Sequence, residues 1–190
     1  MADWKDKRKV MMQYDATAKG YDELHGEEQN AKYLATLKNV NVTGGFVLDV
    51  GCGSGLFFKE VADKAKLVVG VDFSRNLLLL AKEQACGLGN VFVVQSDADH
   101  LPFVDGLFDE VFAFTVLQNM PQFSVTLDEW RRVAKKNGKV VITALKKAFS
   151  LPLFLDLLEA AGFEVVSFVD DEALKCYVSA LEIKRLASAT

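Results

Sequence analysis

The sequence has 190 residues, the size of one ordinary domain that buries about two-thirds of the surface its unfolded chain exposes. Hydrophobic residues make up 51% of it and charged residues 25%, a composition that excludes an intrinsically disordered chain. The formal net charge of −4 argues against autonomous binding to nucleic acid through charge alone.

Neither metal chemistry nor a disulfide framework is expected. Cys52, Cys86 and Cys176 are odd in number and far apart, and the chain has only two histidines. No apolar run reaches the roughly 20 residues that span a bilayer. The charged N-terminus lacks the apolar core of a secretory signal. We therefore expect a cytoplasmic protein with no metal site and no membrane-spanning segment.

The first 45 residues precede the first predicted strand and are expected to be helical. Tyr14, Ala18, Tyr21 and Leu24 recur in them at helical spacing. This N-terminal part could lie as a lid over the carboxyl end of the sheet. It could equally do no more than cover apolar surface, and both interpretations stay open.

From residue 46 onward, short β-rich runs alternate with helical segments, a pattern that predicts a parallel sheet with helices on both faces. The predicted strands are Phe46–Val50, Leu67–Asp72, Val91–Gln95, Glu110–Thr115, Lys139–Ala144, Glu164–Val169 and Cys176–Ile183. Only residues 170–175 join the last two strands, too few for a parallel crossover. The final strand is therefore expected to run antiparallel to its neighbour.

Four helices are predicted between these strands: Leu56–Ala65, Arg75–Cys86, Val125–Lys136 and Leu151–Ala161. Gly138 and Gly162 stand where the last two should stop, and Ser150 with Pro152 stands where the fourth should start.

The most informative stretch is residues 47–55, VLDVGCGSG. A buried-strand pattern runs directly into Gly51, Gly53 and Gly55, which allow a sharp turn and leave no Cβ between main chain and ligand. The helix predicted to follow would offer its unpaired N–H groups at the same place. We therefore expect backbone to hold a ligand at the carboxyl end of the first strand. By itself the glycine pattern is a weak signal.

Three carboxylates narrow the ligand class. Asp49 precedes the first glycine by two residues, where it would repel a pyrophosphate but suit a cation. Asp72 ends the second strand, placed to accept hydrogen bonds from two ribose hydroxyls, and Asp97 follows the third. The glycine spacing also differs from the G-x-G-x-x-G of nicotinamide enzymes. The sequence thus predicts an acidic crevice for a positively charged nucleoside with an amino-acid tail.

With these motifs the chain resembles the class I S-adenosylmethionine-dependent methyltransferases, of the small type with a generic methyltransferase domain. The resemblance covers about residues 10–183 and rests on VLDVGCGSG, GVDFS, SDADHLPF and FDEVFAFTVLQNMP in that order. It implies a Rossmann-like, doubly wound α/β fold with a seven-stranded sheet, mostly parallel with an antiparallel last strand. It also implies one domain over residues 1–190, with a helical lid at 1–45 and the core at 46–190.

The resemblance implies that S-adenosylmethionine is the cofactor and S-adenosylhomocysteine the product. Asp49 and the loop of Gly51, Cys52, Gly53 and Gly55 would then face the methionine moiety. Within that loop, Cys52 is interpreted as a small spacer rather than a nucleophile.

The same resemblance implies a second set of residues that would bind the adenosyl half of the cofactor. Asp72 would bind the ribose, with Phe73 against the adenine. Asp97 would accept a hydrogen bond from the adenine amino group, while the N–H of Ala98 reaches a ring nitrogen. Thr115, at the end of the fourth strand, would lie beside the sulfonium.

Tyr21 resembles the lid tyrosine of the family, but no residue is assigned as catalytic. Gln118 and Asn119 follow the fourth strand and could bond an acceptor, although both are poor bases. The tetrad N/D-P-P-Y/F of many enzymes that methylate exocyclic amines or protein glutamine is absent, since residues 119–122 read NMPQ. This departure lowers the expectation of such acceptors.

Three functions fit the sequence. The first, favoured by the negative charge and the short chain, is methylation of a small apolar or amphipathic molecule at O, N or C. The second is modification of tRNA, rRNA or a translation protein with a small activating subunit, which could pair with the apolar strand Val91–Gln95. A homodimer through an apolar surface is a related expectation. The third is a non-catalytic S-adenosylmethionine-binding module.

Overall fold

A seven-stranded sheet forms the centre of the computed structural model, which describes residues 2–42 and 44–184. The strands are β1 (Phe46–Val50), β2 (Leu67–Asp72), β3 (Val91–Gln95), β4 (Phe108–Phe114), β5 (Ala134–Leu145), β6 (Phe163–Val169) and β7 (Cys176–Ile183). Their order across the sheet is β3-β2-β1-β4-β5-β7-β6. Met1, Thr43 and residues 185–190, parts of the predicted lid and core, lie outside the described residues.

Strand directions match the sequence prediction. The pairs β1–β2, β2–β3, β1–β4 and β4–β5 are parallel. Strand β7 runs antiparallel to both β5 and β6, because its connection to β6 is too short for a crossover. The predicted α/β fold, with its mostly parallel seven-stranded sheet and antiparallel last strand, is confirmed.

Helices cover both faces of the sheet, as predicted. They are α1 (Ala2–Thr17), α2 (Tyr21–Leu37), α3 (Phe58–Val61), α4 (Arg75–Ala85), α5 (Phe123–Val133) and α6 (Leu151–Ala160). One buried cluster joins the sheet to α5 and α6 through Trp130 and Phe154. A second cluster joins the opposite face to α2, α3 and α4 through Tyr33, Phe58 and Leu78. Short 3-10 segments span residues 18–20 and 117–119.

The prediction for α3 is wrong in length. Helix was expected over Leu56–Ala65, but regular α-helix covers only Phe58–Val61. The preceding turn has the tighter i→i+3 bond from Phe58 N–H to the Gly55 carbonyl. Beyond the helix, the Asn90 side chain donates to the carbonyls of Ala62 and Ala65, at 2.8 and 2.9 Å. These carbonyls therefore do not continue a helical ladder.

The boundary between α5 and β5 is also corrected. Gly138 was predicted to end a helix, yet α5 ends at Val133 and Gly138 lies inside β5. The pairing of β4 with β5 shifts register between Phe108 and Glu110, so β5 starts early and then bulges. A Cβ at Gly138 would lie 2.8 Å from the Asp109 carbonyl oxygen, so the glycine serves this close strand contact. By contrast, Gly162 does follow a helix, with φ of 81°.

The sheet order reverses between β1 and β4, which lie side by side although β2 and β3 come between them in the chain. Ligands of open α/β sheets bind outside the carboxyl ends of strands at such a switch point. Among residues 2–42 and 44–184, no helix is long and apolar enough to cross a membrane.

Candidate functional site

A cleft of roughly 710 Å³, partly open to solvent, lies over the carboxyl ends of β1 to β4 and beneath α1. Eight of the residues predicted from sequence line it: Tyr21, Gly51, Gly53, Asp72, Phe73, Asp97, Ala98 and Thr115. An adjoining smaller cavity is lined by Asp49 and Cys52 and shares Tyr21, Gly51 and Gly53 with the cleft. The structure therefore brings ten predicted residues to one place.

Gly55 is the predicted residue that lines neither cavity. Its φ is 85°, in the left-handed region that glycine tolerates. A Cβ there would lie 2.6 Å from the ring of Phe58 and 3.1 Å from the backbone of Ala81. The glycine thus allows the turn to pack closely against α3 and α4.

The glycine loop uses its N–H groups differently from the prediction. The N–H of Gly53 donates to a carboxylate oxygen of Asp72 at 2.9 Å, and that of Cys52 donates to the Val71 carbonyl at 2.9 Å. Helix α3 begins only at Phe58, so the expected helix N-terminus does not follow the loop directly. What the loop offers a ligand is close approach, since Gly51 and Gly53 line the cleft without a side chain.

Asp49 is a buried carboxylate at the base of the site, with 2% of its surface exposed. Burial raises the pKa of Asp49 well above its ordinary value, and the nearby charge of Asp72 adds to this effect. The pKa of Asp72 is raised by burial too, against the lowering effect of backbone N–H donors such as those of Ser74 and Gly53. A cation bound here would relieve the desolvation and repulsion of both carboxylates.

Cys52 stays a thiol in this environment. Burial raises the pKa of Cys52 well above its ordinary value, and Asp49 adds to the shift. Since the thiolate is the reactive form of cysteine, the spacer interpretation is physically reasonable. Within residues 2–42 and 44–184, no group of three or more His, Cys, Asp or Glu is arranged to hold a metal ion.

Lys7 forms an ion pair at the opposite end of the cleft. Its ammonium lies 2.7 and 2.9 Å from the two carboxylate oxygens of Asp97 and 2.5 Å from Asp99. Burial, the largest single effect, lowers the pKa of Lys7. Hydrogen bonds and charge from the two aspartates outweigh burial and raise that pKa above its ordinary value. Both carboxylate oxygens of Asp97 therefore already have a partner in the ligand-free chain.

Thr115 leaves the end of β4 with φ of 56°, a left-handed conformation that non-glycine residues adopt rarely. Its N–H donates to the Thr143 hydroxyl at 2.8 Å, and its carbonyl accepts from the side chain of Gln118. These bonds hold a strained residue in the cleft wall, as is common at binding sites.

Helices α1 and α2 cover the cleft with polar contacts. The amide of Asn119 donates to the Tyr14 hydroxyl at 3.1 Å, and the amide of Gln29 donates to that of Tyr21 at 3.3 Å. Asp15 accepts from the Ser74 hydroxyl at 2.5 Å, at the start of α4. The N-terminal part of the chain therefore lies over the sheet end, the position that the lid interpretation requires.

Sequence reasoning missed Lys7, Val10 and Tyr14 as cleft residues. Their spacing of three and four places them on one face of α1, a signal that was available. That this face meets the cleft was not readable, because its contacts join residues far apart in the chain, such as Lys7 and Asp97.

Comparison with known proteins agrees with this geometry. A family model described as a methyltransferase domain matches residues 48–142. A demethylmenaquinone methyltransferase of Staphylococcus aureus is 34% identical, over 81% of this chain and 67% of that protein.

Solved structures share the fold. A SAM-dependent methyltransferase from Aquifex aeolicus superposes with a TM-score of 0.78 at 22% identity, over 89% of this chain and 98% of that one. The DhpI–SAH complex does so with 0.79 at 20% identity, over 95% and 98%. A shared fold would not by itself establish an activity. Together with the family match and the 34% identical relative, however, it shows that the chain belongs to the class I S-adenosylmethionine-dependent methyltransferases.

Proposed function

We propose that the chain transfers the methyl group of S-adenosylmethionine to a small, largely apolar acceptor that carries an oxygen atom. The observation that carries this proposal is the make-up of the cleft wall beside Thr115. Val116 and Met120 supply apolar surface there, and Tyr14 with Asn119 supplies polar groups. A quinone-type ring has this character, and one relative is named for such an acceptor.

The carboxylates at the base of the site fit the proposed cofactor. Asp49 is buried, Asp72 is half-buried, and the pKa of each is raised, the state expected of acids that lack a cationic partner. A sulfonium and an ammonium group would supply that partner. At the adenosyl end the fit is only partial, since Lys7 already pairs with Asp97.

In the proposed placement, Asp49 and the loop of Gly51, Cys52 and Gly53 hold the methionine moiety. Gly55 shapes this loop from behind through its packing on Phe58.

Asp72 binds the ribose hydroxyls, and Phe73 lies against the adenine. Asp97 and the Ala98 N–H serve the edge of the adenine, and Thr115 lies beside the sulfur. Support comes from the positions of these residues around one cleft at the switch point of the sheet.

S-adenosylmethionine supplies a methyl group on a positively charged sulfur, which is already a strong electrophile. The protein must then position the acceptor and exclude water. Tyr21 covers the glycine loop, with its ring 3.6 Å from a Cβ built at Gly53. Burial raises the pKa of Tyr14 above its ordinary value and that of Tyr21 to about 12. Both phenols therefore keep their protons at neutral pH and can donate hydrogen bonds to an acceptor oxygen. No general base is assigned.

A methyl-transfer assay with a tritiated cofactor tests the proposal. Purified protein is incubated with a short-chain demethylmenaquinol analogue, with a small-molecule extract, with total RNA and with a protein fraction. We expect label in the quinol or small-molecule arm. Asp72→Ala should lose most of the activity, whereas Asp63→Ala, at an exposed position outside the cleft, should retain it. Label only in RNA or protein would overturn the proposed acceptor class.

One observation favours a second candidate, action with a protein partner. Strand β3 is at the edge of the sheet, and Phe92, its second residue, is 57% exposed. Exposed apolar edge strands are sites of strand pairing with other chains. Sedimentation velocity of the purified chain and of Phe92→Ser tests self-association. An activity that appears only after addition of cell extract would favour a separate subunit.

A further inference from the structure

We propose that Lys7 is a positioning residue of the cofactor site, whose ion pairs with Asp97 and Asp99 hold α1 closed over the adenosyl end of the cleft and limit the rate of cofactor exchange. The identity of the ligand rests on the proposed function. The closure itself is a property of the ligand-free chain and can be tested without a ligand.

Helix α1 is fastened by polar contacts rather than by core packing. None of its described residues belongs to either hydrophobic cluster, whereas α2 contributes Tyr33, Ala35 and Leu37 to the second. The segment between the two helices is anchored by Ala18, which is buried. A helix with few buried apolar contacts opens at lower free energy than the core does. We therefore expect α1 to move while α2 stays in place.

Among residues 4–17 of α1, whose burial the structure describes, Lys7 is the buried one. Its side chain is 7% exposed, and the side chains of Asp97 and Asp99 are 18% and 5% exposed. Charge-assisted hydrogen bonds shielded from water are stronger than exposed pairs. If the cation is removed, two neighbouring carboxylates face each other and are relieved only when water enters. Opening of α1 admits that water.

The receiving side of the ion pair is fixed to α5. The hydroxyl of Thr126 donates to Asp99, and the indole of Trp130 donates to the Ala98 carbonyl at 3.2 Å. The N–H of Leu101 donates to Glu129 at 2.6 Å. The loop that carries the aspartates is thus bonded to a helix of the core, so movement that breaks the Lys7 contact must come from α1.

Ligand exchange and the Lys7 contact compete for one carboxylate. Both oxygens of Asp97 contact the Lys7 ammonium, and one of them also accepts from the N–H of Asp99. An adenine amino group that bonds Asp97 must share it with Lys7 or displace Lys7. The ion pair is therefore part of the path by which the adenosyl group enters and leaves.

Hydrogen–deuterium exchange of the ligand-free chain tests the closure. We compare the unaltered protein with Lys7→Met, Lys7→Arg and Lys9→Met. Lys9 is the matched control, because it lies on the same helix but is exposed and pairs with Asp6 at 3.0 Å. We expect Lys7→Met to speed exchange in the amides of α1 on the order of tenfold, the effect of losing one strong polar fastening. Exchange in α2 and the sheet should not change.

Lys7→Arg should restore slow exchange in α1, and Lys9→Met should leave it as in the unaltered chain. Equal α1 exchange in the two methionine variants would overturn the proposal. Lys7→Gln provides a second variant, with faster exchange again confined to α1, in case Lys7→Met disturbs the whole fold.

The exchange step is tested by measuring the dissociation rate of S-adenosylhomocysteine in a stopped-flow displacement experiment. We expect Lys7→Met to release this ligand several-fold faster, with Lys9→Met unchanged. An unaltered rate in Lys7→Met would contradict the kinetic part of the proposal. If the unaltered chain does not bind S-adenosylhomocysteine at all, the proposed function fails, while the exchange measurements still decide the closure.

Discussion

Asp49 bears an energetic penalty in the ligand-free protein, because its charge is buried beside that of Asp72. The same carboxylate is suited to a positively charged ligand. Binding residues often reduce the stability of the unliganded fold in this manner. Removal of the charge should therefore raise the free energy of unfolding and weaken ligand binding.

Asp49→Asn should stabilise the ligand-free protein by about 1–2 kcal/mol, since an amide is cheaper to bury than a carboxylate. It should also weaken binding of S-adenosylmethionine by an order of magnitude or more. Chemical denaturation and titration calorimetry measure the two effects. Asp63→Asn, at an exposed position, should change neither. A less stable Asp49→Asn protein would contradict the burial argument.

The pH dependence has a definite sign. The pKa of Asp49 in the folded chain is raised above the ordinary value of 3.8 that it has in the unfolded chain. At a pH between the ordinary and the raised pKa, the folded chain therefore holds a proton that the unfolded chain releases. The free energy of unfolding of the ligand-free protein should therefore gain a favourable contribution as pH falls through the raised pKa. Over the same range the affinity for S-adenosylmethionine should fall relative to that for S-adenosylhomocysteine, which lacks the sulfonium. Calorimetry with both ligands from pH 7.5 downward measures the ratio.

Gly55 and Gly87 show two reasons why a position requires glycine: a left-handed backbone at both, and in addition a lack of space for a Cβ at Gly55. Both have positive φ, 85° and 87°, but a Cβ at Gly87 would meet nothing within 4 Å, whereas one at Gly55 would strike Phe58. We expect Gly87→Ala to cost about 1 kcal/mol through backbone strain alone. Gly55→Ala should cost about 3 kcal/mol or more, through strain and overpacking together. Urea denaturation of both variants provides the comparison.

The location of a site residue could be predicted where the residue lies at the end of an apolar strand. Asp72 ends an apolar strand, and Gly51 and Gly53 follow another, so their place at the sheet end could be read from the sequence. Thr115 could be placed beside the cleft, but its left-handed backbone could not be predicted, since no local sequence feature demands it. Lys7 had no sequence signal as a partner of Asp97.

The bounds of β1, β2, β3 and β7 agree with the prediction at both ends, because each is an apolar run between turn residues. Helices α4 and α6 match their predicted bounds within one residue at each end. Helix α3 and the start of β5 were wrong because side-chain bonds from Asn90 and the bulge opposite β4 override local propensity.

Helix α5 supports the loop after β3 through direct hydrogen bonds, although the two are far apart in the sequence. Thr126→Val removes the hydroxyl that donates to Asp99 and leaves side-chain volume nearly unchanged. We expect affinity for S-adenosylhomocysteine to fall several-fold, because the loop that carries Asp97 and Ala98 loses a support. Ser124→Ala, on the exposed face of α5, is the control and should bind normally. Equal affinities in the two variants would show that the loop does not depend on α5.

At the scale of the whole molecule, the order and directions of the strands followed from connection lengths and alternation of elements. The sequence prediction of helices on both faces held for the same reason. The sequence left open whether the N-terminal part lies over the cleft, because α1 is placed by polar contacts with three separate loops rather than by a hydrophobic stripe.

Whole-molecule stability should report cofactor binding through mass action. A ligand at 100 times its Kd adds about 2.7 kcal/mol to the free energy of unfolding. For a chain of this length that corresponds to a rise in Tm of roughly 5–10 °C. Differential scanning fluorimetry with S-adenosylhomocysteine should show this rise, and adenosine diphosphate at the same concentration should not. Equal shifts with both compounds would argue against a site selective for a nucleoside that carries an amino-acid tail.

Helix α1 is attached through ion pairs and hydrogen bonds between side chains, and this has a consequence for turnover. When such contacts part, water takes the place of each lost partner, and neither hydrophobic cluster of the core has to open. An enzyme built like this can empty its site many times without loosening its interior.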